Sequence, residues 1–112
     1  MTVVPHNIRQ ELLRLCKESR SLTSVFSRKA PTHWVPWQLY DPETGEAFTV
    51  DGAWLFIQRA LANGCQLQAI DLERPKGKTG YWFHGTDARG TRIYVKLQLG
   101  SGLIIGRSFH DG

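Results

Sequence analysis

The sequence predicts an α+β domain in which two helices pack on one face of a three- or four-stranded antiparallel sheet. The segment from Tyr81 to His110 has period-two alternation and two glycine-containing turns, a pattern typical of antiparallel strands. Two earlier segments place apolar residues at helical spacing. The 112 residues, 41% of them hydrophobic, suit a single domain (1–112) with one core.

Charge and composition narrow the functional class. The net charge is +4. The segment from Arg74 to Arg107 contains seven Lys or Arg residues and one acidic residue, Asp87. The positive charge therefore lies on the predicted sheet and its entry loop, which suits RNA or another acidic partner. No apolar run reaches membrane-spanning length and no signal pattern opens the chain, so we expect a cytoplasmic protein with no membrane partner. Cys16 and Cys65 lack zinc-site spacing, and we expect reduced thiols and no metal.

The first predicted helix covers Pro5 to Ser19, with Asn7 as its N-cap and Gln10 at the capping-box position. Arg9 falls on its solvated side, whereas the apolar residues at helical spacing form a stripe that faces the sheet: Ile8, Leu12, Leu15 and Cys16. We interpret this helix as a scaffold that packs on the sheet.

The second predicted helix covers Thr49 to Asn63. Asp51 is a candidate N-cap, and Gly64 suits the left-handed position that follows many helices. Its apolar face is broad, which predicts burial against the sheet rather than a functional site.

Residues 21–46 form an irregular segment that contains two tryptophans, Trp34 and Trp37. Pro31 and Pro36 exclude a central strand or a long helix there. The tryptophans either cap one end of the core or stack on bases or a partner.

A strand is favoured between Gln66 and Glu73, before a basic, glycine-rich loop from Arg74 to Gly80. This loop lacks the order of a Walker A motif. It is either a solvated hairpin loop or a clamp in which Lys76 and Lys78 neutralise phosphates.

The clearest strand divides its side chains between two faces. Thr91, Ile93, Val95, Leu97 and Leu99 alternate with polar residues, which are Arg92, Tyr94, Lys96 and Gln98. The neighbouring strands add His84, Arg107 and His110. This polar face is either a solvated surface or a site where groups that bind phosphate and move protons converge.

If RNA lies on that face, its cleavage needs a base for the ribose 2′-OH, a donor for the phosphorane oxygens and an acid for the leaving oxygen, with no metal or cofactor. His84 and His110 can supply base and acid, because imidazole titrates near neutral pH. Tyr94 and Lys96 can straddle one phosphate. The remaining cations are predicted to bind RNA: Arg92, Arg107, Arg89, Lys76 and Lys78.

Several short segments resemble the MqsR-type (motility quorum-sensing regulator) toxins of the RelE-like endoribonuclease superfamily. The similar positions are Val50-Asp51-Gly52, Trp82, Gly90 through Lys96, Leu103 through Ile105, the ending Ser108-Phe109-His110, and Pro5-His6. The resemblance implies a RelE-like fold and a ribosome-independent mRNA interferase that a cognate antitoxin protein neutralises.

Carried over by position, the family's catalytic tyrosine falls on Tyr94. The family's glutamine after the tryptophan is Phe83 or His84 here, and its terminal lysine is His110. A further active-site lysine has no secure counterpart, and Lys76 and Lys78 are its candidates. These departures imply either a ribonuclease with more acid–base character or a relative with altered activity.

Three functional hypotheses follow. The leading one is a metal-independent endoribonuclease toxin of a toxin–antitoxin system. The second is a non-catalytic adaptor from a phage or mobile element that binds nucleic acid or protein through Trp34, Trp37 and the basic loop. The third, an immunity or antitoxin-like protein, ranks lowest, because the basic charge has the wrong sign for a nucleic-acid mimic.

Overall fold

The computed structural model describes residues 4–17, 34–72, 77–99 and 104–112. These residues form two α-helices, a short 3₁₀ helix and four strands: α1 (His6–Lys17), the 3₁₀ helix Pro36–Gln38, α2 (Val50–Ala62), β1 (Gln68–Asp71), β2 (Thr79–Thr86), β3 (Arg92–Leu99) and β4 (Ile104–Asp111). The strands form one antiparallel sheet in the order β1-β2-β3-β4. The predicted α+β class is therefore confirmed, as is the strand expected between Gln66 and Glu73. The predicted turn at Gly100–Gly102 lies outside the described residues.

The N-cap of helix α2 lies two residues before the predicted one, Asp51. The hydroxyl oxygen of Thr49 accepts a hydrogen bond from the Gly52 backbone N–H at 2.9 Å, so Thr49 is the N-cap and Asp51 is not. Asp51 lies in the first turn, where its charge complements the helix dipole. Gly64 has a φ of 79°, which confirms the predicted left-handed residue beyond the helix end.

Helix α1 corrects two further predictions. It begins at His6, and the Pro5 carbonyl accepts hydrogen bonds from the backbone N–H groups of Ile8 and Arg9, so Asn7 lies inside the helix and does not cap it. The Arg9 side chain is half-buried rather than solvated and donates to the Leu61 carbonyl at 3.2 Å, near the carboxyl end of α2. A cation there satisfies helix carbonyls and joins the two helices. In the described residues, no helix has the length and apolar character needed to cross a membrane.

One continuous core lies between the helices and one face of the sheet. Its buried members include Leu12, Ala53, Ile57, Phe83, Ile93, Val95, Leu97 and Phe109. Trp34 belongs to this core, because its ring lies 5.1 Å from that of Trp54 and 5.5 Å from that of Phe109. Trp34 therefore caps the core, and its predicted alternative role in a contact surface is wrong. Trp37 differs, since it is 56% exposed.

Two glycines on the core face of the sheet make room for aromatic rings. A Cβ atom at Gly85 would lie 2.5 Å from Cζ of Phe56, and one at Gly106 would lie 2.4 Å from Cζ3 of Trp34. Any other residue at these positions would displace a ring from the core.

Candidate active site

The sheet has a second face, opposite the helices, that carries most of the predicted site residues. We call it the open face. Its residues include Gln68, Ile70, Trp82, His84, Thr86, Arg92, Tyr94, Lys96, Gln98, Ile105, Ser108 and His110. Two of them, Gln98 and Ser108, are nevertheless buried. Strand geometry explains this division, because successive side chains point to opposite faces and the partners of Val95, which are Phe83 and Phe109, belong to the core. The alternation predicted from the sequence therefore separates core from polar residues as expected.

Three rings from three strands lie side by side on the open face. Tyr94 of β3 is the direct partner of His84 in β2 and of His110 in β4. Its ring centroid lies 5.7 Å from that of His84 and 5.4 Å from that of His110. We call His84, Tyr94 and His110 the ring row. The structure thus brings together three of the four residues predicted to be catalytic.

The fourth, Lys96, lies in the next row along the strands. It is the direct partner of Trp82 in β2 and of Ser108 in β4. Lys96 and Tyr94 are alternate residues on one strand and are therefore about 7 Å apart. A phosphate bound at the ring row would lie within reach of a lysine at that distance.

The two histidines stand two strand spacings apart across Tyr94, about 9.6 Å between their Cα atoms. Side chains on a sheet stand roughly perpendicular to it, so the ring atoms have a similar separation. The Tyr94 ring fills the interval between the two imidazoles. A phosphate that contacts all three side chains would therefore lie over the outer ends of the rings and not between the histidines.

Tyr94 is arranged to donate a hydrogen bond. Its side chain is half-buried between the two histidines, and burial raises the pKa of the Tyr94 phenol above its ordinary value of 10.0. The phenol therefore keeps its proton at neutral pH. A protonated phenol can donate to a phosphoryl oxygen, but it is not the base that removes a proton from a 2′-OH.

A backbone contact fixes the tautomer of His110. Its Nδ1 atom lies 2.6 Å from the carbonyl oxygen of Asp111. Because a carbonyl oxygen only accepts hydrogen bonds, Nδ1 carries the proton, and the lone pair of the neutral ring is on Nε2. His110 is therefore oriented as a base through Nε2.

The predicted RNA-binding cations occupy different parts of the molecule. Arg92 is exposed on the open face, on the other side of Tyr94 from Lys96. Arg107 lies at an irregularity in β4, where the register shifts opposite Lys96 and Leu97. Lys78 is exposed just before β2, and Lys76 lies outside the described residues.

Arg89 is held at the turn between β2 and β3, away from the ring row. Its guanidinium carbon lies 3.6 Å from the centroid of the Tyr40 ring, a cation–π contact. Both residues line a pocket of about 250 Å³ together with Gln38, Leu39, Asp87, Thr91 and Asp111. This pocket lies beyond the end of the open face, so Arg89 is a peripheral cation.

Buried Asp87 organises that turn. Its carboxylate accepts backbone hydrogen bonds from Arg89 at 2.9 Å, Thr91 at 2.8 Å and Tyr40 at 3.1 Å. Desolvation alone would raise the pKa of Asp87, but the three backbone donors and the Arg89 charge outweigh it, and the pKa is lowered from 3.8. Asp87 thereby fixes the turn that sets β2 and β3, and hence His84 and Tyr94, in register.

Replacing Asp87 by asparagine is expected to lower the free energy of unfolding by about 1–3 kcal/mol at neutral pH, because an amide NH₂ would face a backbone donor. Because the pKa of Asp87 is lower in the folded than in the unfolded protein, the ionised carboxylate stabilises the fold at pH values above its unfolded-state pKa. This stabilisation is lost as the pH falls through the folded-state pKa. The difference between the two proteins should therefore shrink below about pH 4. Urea unfolding across this range measures it, with Asp71→Asn, at an exposed aspartate of β1, as the control. A difference that is independent of pH would contradict this role.

The structure adds two residues to the site that the sequence did not single out as functional. Trp82 is half-buried on the open face, with its ring 5.3 Å from His84 and 5.8 Å from Tyr94. Gln68 of β1 is its direct partner on the other side. The only available signal was that Trp82 precedes His84 by two residues and so shares its face. Gln98, which the sequence placed on the polar face of β3, is buried, 7% exposed.

No protein-family model, curated protein or solved structure matches this chain. The resemblance to the MqsR-type toxins, and the RelE-like label with it, therefore stays a prediction. The candidate function rests on the geometry of the open face.

Proposed function

We propose that this protein is a metal-independent endoribonuclease that cleaves RNA on the open face by attack of a ribose 2′-OH. One observation carries the proposal: the ring row places an acid–base pair on either side of a hydrogen-bond donor, with rings 5.7 and 5.4 Å from that donor. The basic charge of the strands gives the face an affinity for a polyanion.

The reaction uses the ring row as follows. Nε2 of His110 takes the proton from the 2′-OH, whose oxygen attacks the adjacent phosphorus. The phenol of Tyr94 donates to a phosphorane oxygen, and protonated His84 gives its proton to the departing 5′-oxygen. The O5′–P bond breaks, which leaves a 2′,3′-cyclic phosphate on one product and a 5′-hydroxyl on the other.

Lys96 and Arg92 flank Tyr94 along β3 and would neutralise the charge on the phosphates. Arg107 would contribute from β4, whereas Lys78 and Arg89 would act on the RNA outside the ring row. Each such contact adds affinity that falls as salt rises.

The biological role in this proposal comes from the family resemblance. It is that of a cytoplasmic toxin acting on mRNA and neutralised by a cognate antitoxin protein. A non-cleaving nucleic-acid-binding module is the second candidate, favoured by the two aromatic rings, Trp82 and Tyr94, on a basic sheet face. Cleavage separates the two candidates.

The test is incubation of the purified protein with an end-labelled single-stranded RNA in EDTA. We expect cleavage with cyclic phosphate and 5′-hydroxyl ends, and no cleavage when every 2′-OH is replaced by hydrogen. The double variant Tyr94→Phe/His110→Ala should cleave at least about 10³-fold more slowly, since it lacks both a base and a phosphate donor.

The matched control is His6→Ala, at an exposed histidine in the first turn of α1. This variant should retain wild-type cleavage. If the double variant, purified in the same way, loses cleavage, a contaminating ribonuclease is excluded. RNA binding by the wild type without cleavage would reject the enzyme and favour the binding module.

A further inference from the structure

We propose that Trp82 and Gln68 form a base-binding subsite next to the ring row, so that the substrate is single-stranded RNA with one base stacked on Trp82. This inference rests on the proposed function in one respect, that the reacting phosphate lies at the ring row. The subsite itself binds RNA whether or not cleavage follows. Neither residue takes part in the acid–base chemistry.

The position of Trp82 relative to the reacting centre supports this assignment. It lies two residues before His84 on the same face of β2, about 7 Å along the strand. A single nucleotide spans that distance from its phosphate to its base. With a phosphate at the ring row, the base of a neighbouring nucleotide therefore reaches Trp82.

The indole is held in place by its neighbours. It makes an edge contact with the His84 ring at 5.3 Å and a tilted contact with Tyr94 at 5.8 Å. Its side chain is nevertheless only half-buried. A rigid, partly exposed ring on a sheet face is a platform on which a base can stack.

The other wall of the subsite supplies hydrogen bonds and apolar contact. Gln68 is the direct partner of Trp82 across β1 and β2, and its amide can both donate to and accept from the edge of a base. Ile70 follows on the same face and is 44% exposed. The space over its partner Gly80 is filled by Leu72, since a Cβ atom at Gly80 would lie 2.7 Å from Cδ2 of Leu72.

This geometry selects unpaired RNA. A base that stacks on Trp82 must leave its own helical stack, and one that meets Gln68 must present its pairing edge. Bases in a duplex satisfy neither condition. The duplex can still bind through phosphate contacts, but without the stacking contribution.

The experiment measures binding to a non-cleavable ligand, a fluorescein-labelled 2′-O-methyl RNA, by anisotropy at fixed salt. Trp82→Leu removes the ring but keeps apolar bulk, and should weaken binding of the single strand about 10- to 100-fold. Trp82→Phe should stay within a few-fold of the wild type. Trp37→Leu, at a tryptophan that is 56% exposed outside the sheet, is the matched control and should bind normally.

A change in the ligand tests the same subsite without relying on a variant that must fold. Replacing the bases by abasic sugars should weaken binding to the wild type at least tenfold. The same replacement should have little effect on Trp82→Leu. The wild type should also bind the single strand at least tenfold more tightly than the matching duplex.

The outcomes separate the subsite from the cleavage reaction. Normal binding by Trp82→Leu, equal affinity for the duplex, or loss of binding in Trp37→Leu would each overturn the subsite. His6→Ala, at an exposed histidine outside the sheet, should bind the 2′-O-methyl RNA normally. If the wild type shows the Trp82-dependent binding but never cleaves RNA, the subsite stands and the proposed function fails.

Discussion

Replacing His110 by alanine is expected to slow RNA cleavage about 10²- to 10⁴-fold while leaving RNA affinity nearly unchanged. The reason is that the Asp111 carbonyl accepts from Nδ1 and leaves the lone pair of the neutral ring on Nε2, the atom from which His110 acts as the base. His84→Ala should slow cleavage by a similar factor through loss of the acid. Single-turnover rates measure both effects, with His6→Ala as the control.

The leaving group distinguishes base from acid. A uridine 3′-aryl phosphate has a leaving group that departs without protonation. His84→Ala should therefore cleave it at close to the wild-type rate, whereas His110→Ala should stay slow. Rescue of His110→Ala by the aryl substrate would reverse the two roles.

The parts of this fold that the sequence predicts correctly are those decided by neighbouring residues. Side-chain direction alternates along a strand, so the period-two pattern of β3 was enough to separate Ile93 and Val95 from Tyr94 and Lys96. Turn chemistry is equally local, and Gly90 has the positive φ, 82°, that its position in the predicted turn requires.

Strand register is not local, and the candidate site depends on it. A shift of one residue between β2 and β3 would place His84 opposite a core residue instead of Tyr94. Three backbone hydrogen bonds to Asp87 hold the turn in this register, and one of them comes from Tyr40, which is 47 residues away in the chain. Sequence spacing gives no information about that contact.

Trp82 and Trp34 show a different limit of prediction from sequence, because residue type alone does not say which face of the sheet a tryptophan occupies. Trp82 lies in a run of three aromatic residues, Tyr81-Trp82-Phe83, in which polarity does not reveal the face. The structure buries Phe83 and places Trp82 on the open face. Trp34 and Trp37 are likewise chemically identical, and only tertiary packing makes one of them core and the other 56% exposed.

The largest effect on stability is expected from Gly106→Ala, which should lower the free energy of unfolding by about 3 kcal/mol. A Cβ atom there would lie 2.4, 2.8 and 2.9 Å from three atoms of the Trp34 ring. That ring has little room to move, because it packs between Trp54 and Phe109. Urea denaturation at equilibrium measures the loss.

A double-mutant cycle with Trp34→Leu shows whether the ring causes that loss. Trp34→Leu alone should also destabilise the protein, since it leaves a cavity in the core. If the added methyl collides with the indole, it partly fills that cavity in the double variant. The double variant should then lose at least 1 kcal/mol less than the sum of the two single variants. Additive losses would mean that the backbone of β4, and not the Trp34 ring, requires glycine at position 106. The contact between β4 and the Trp34 ring would then not be what determines the packing at this edge of the core.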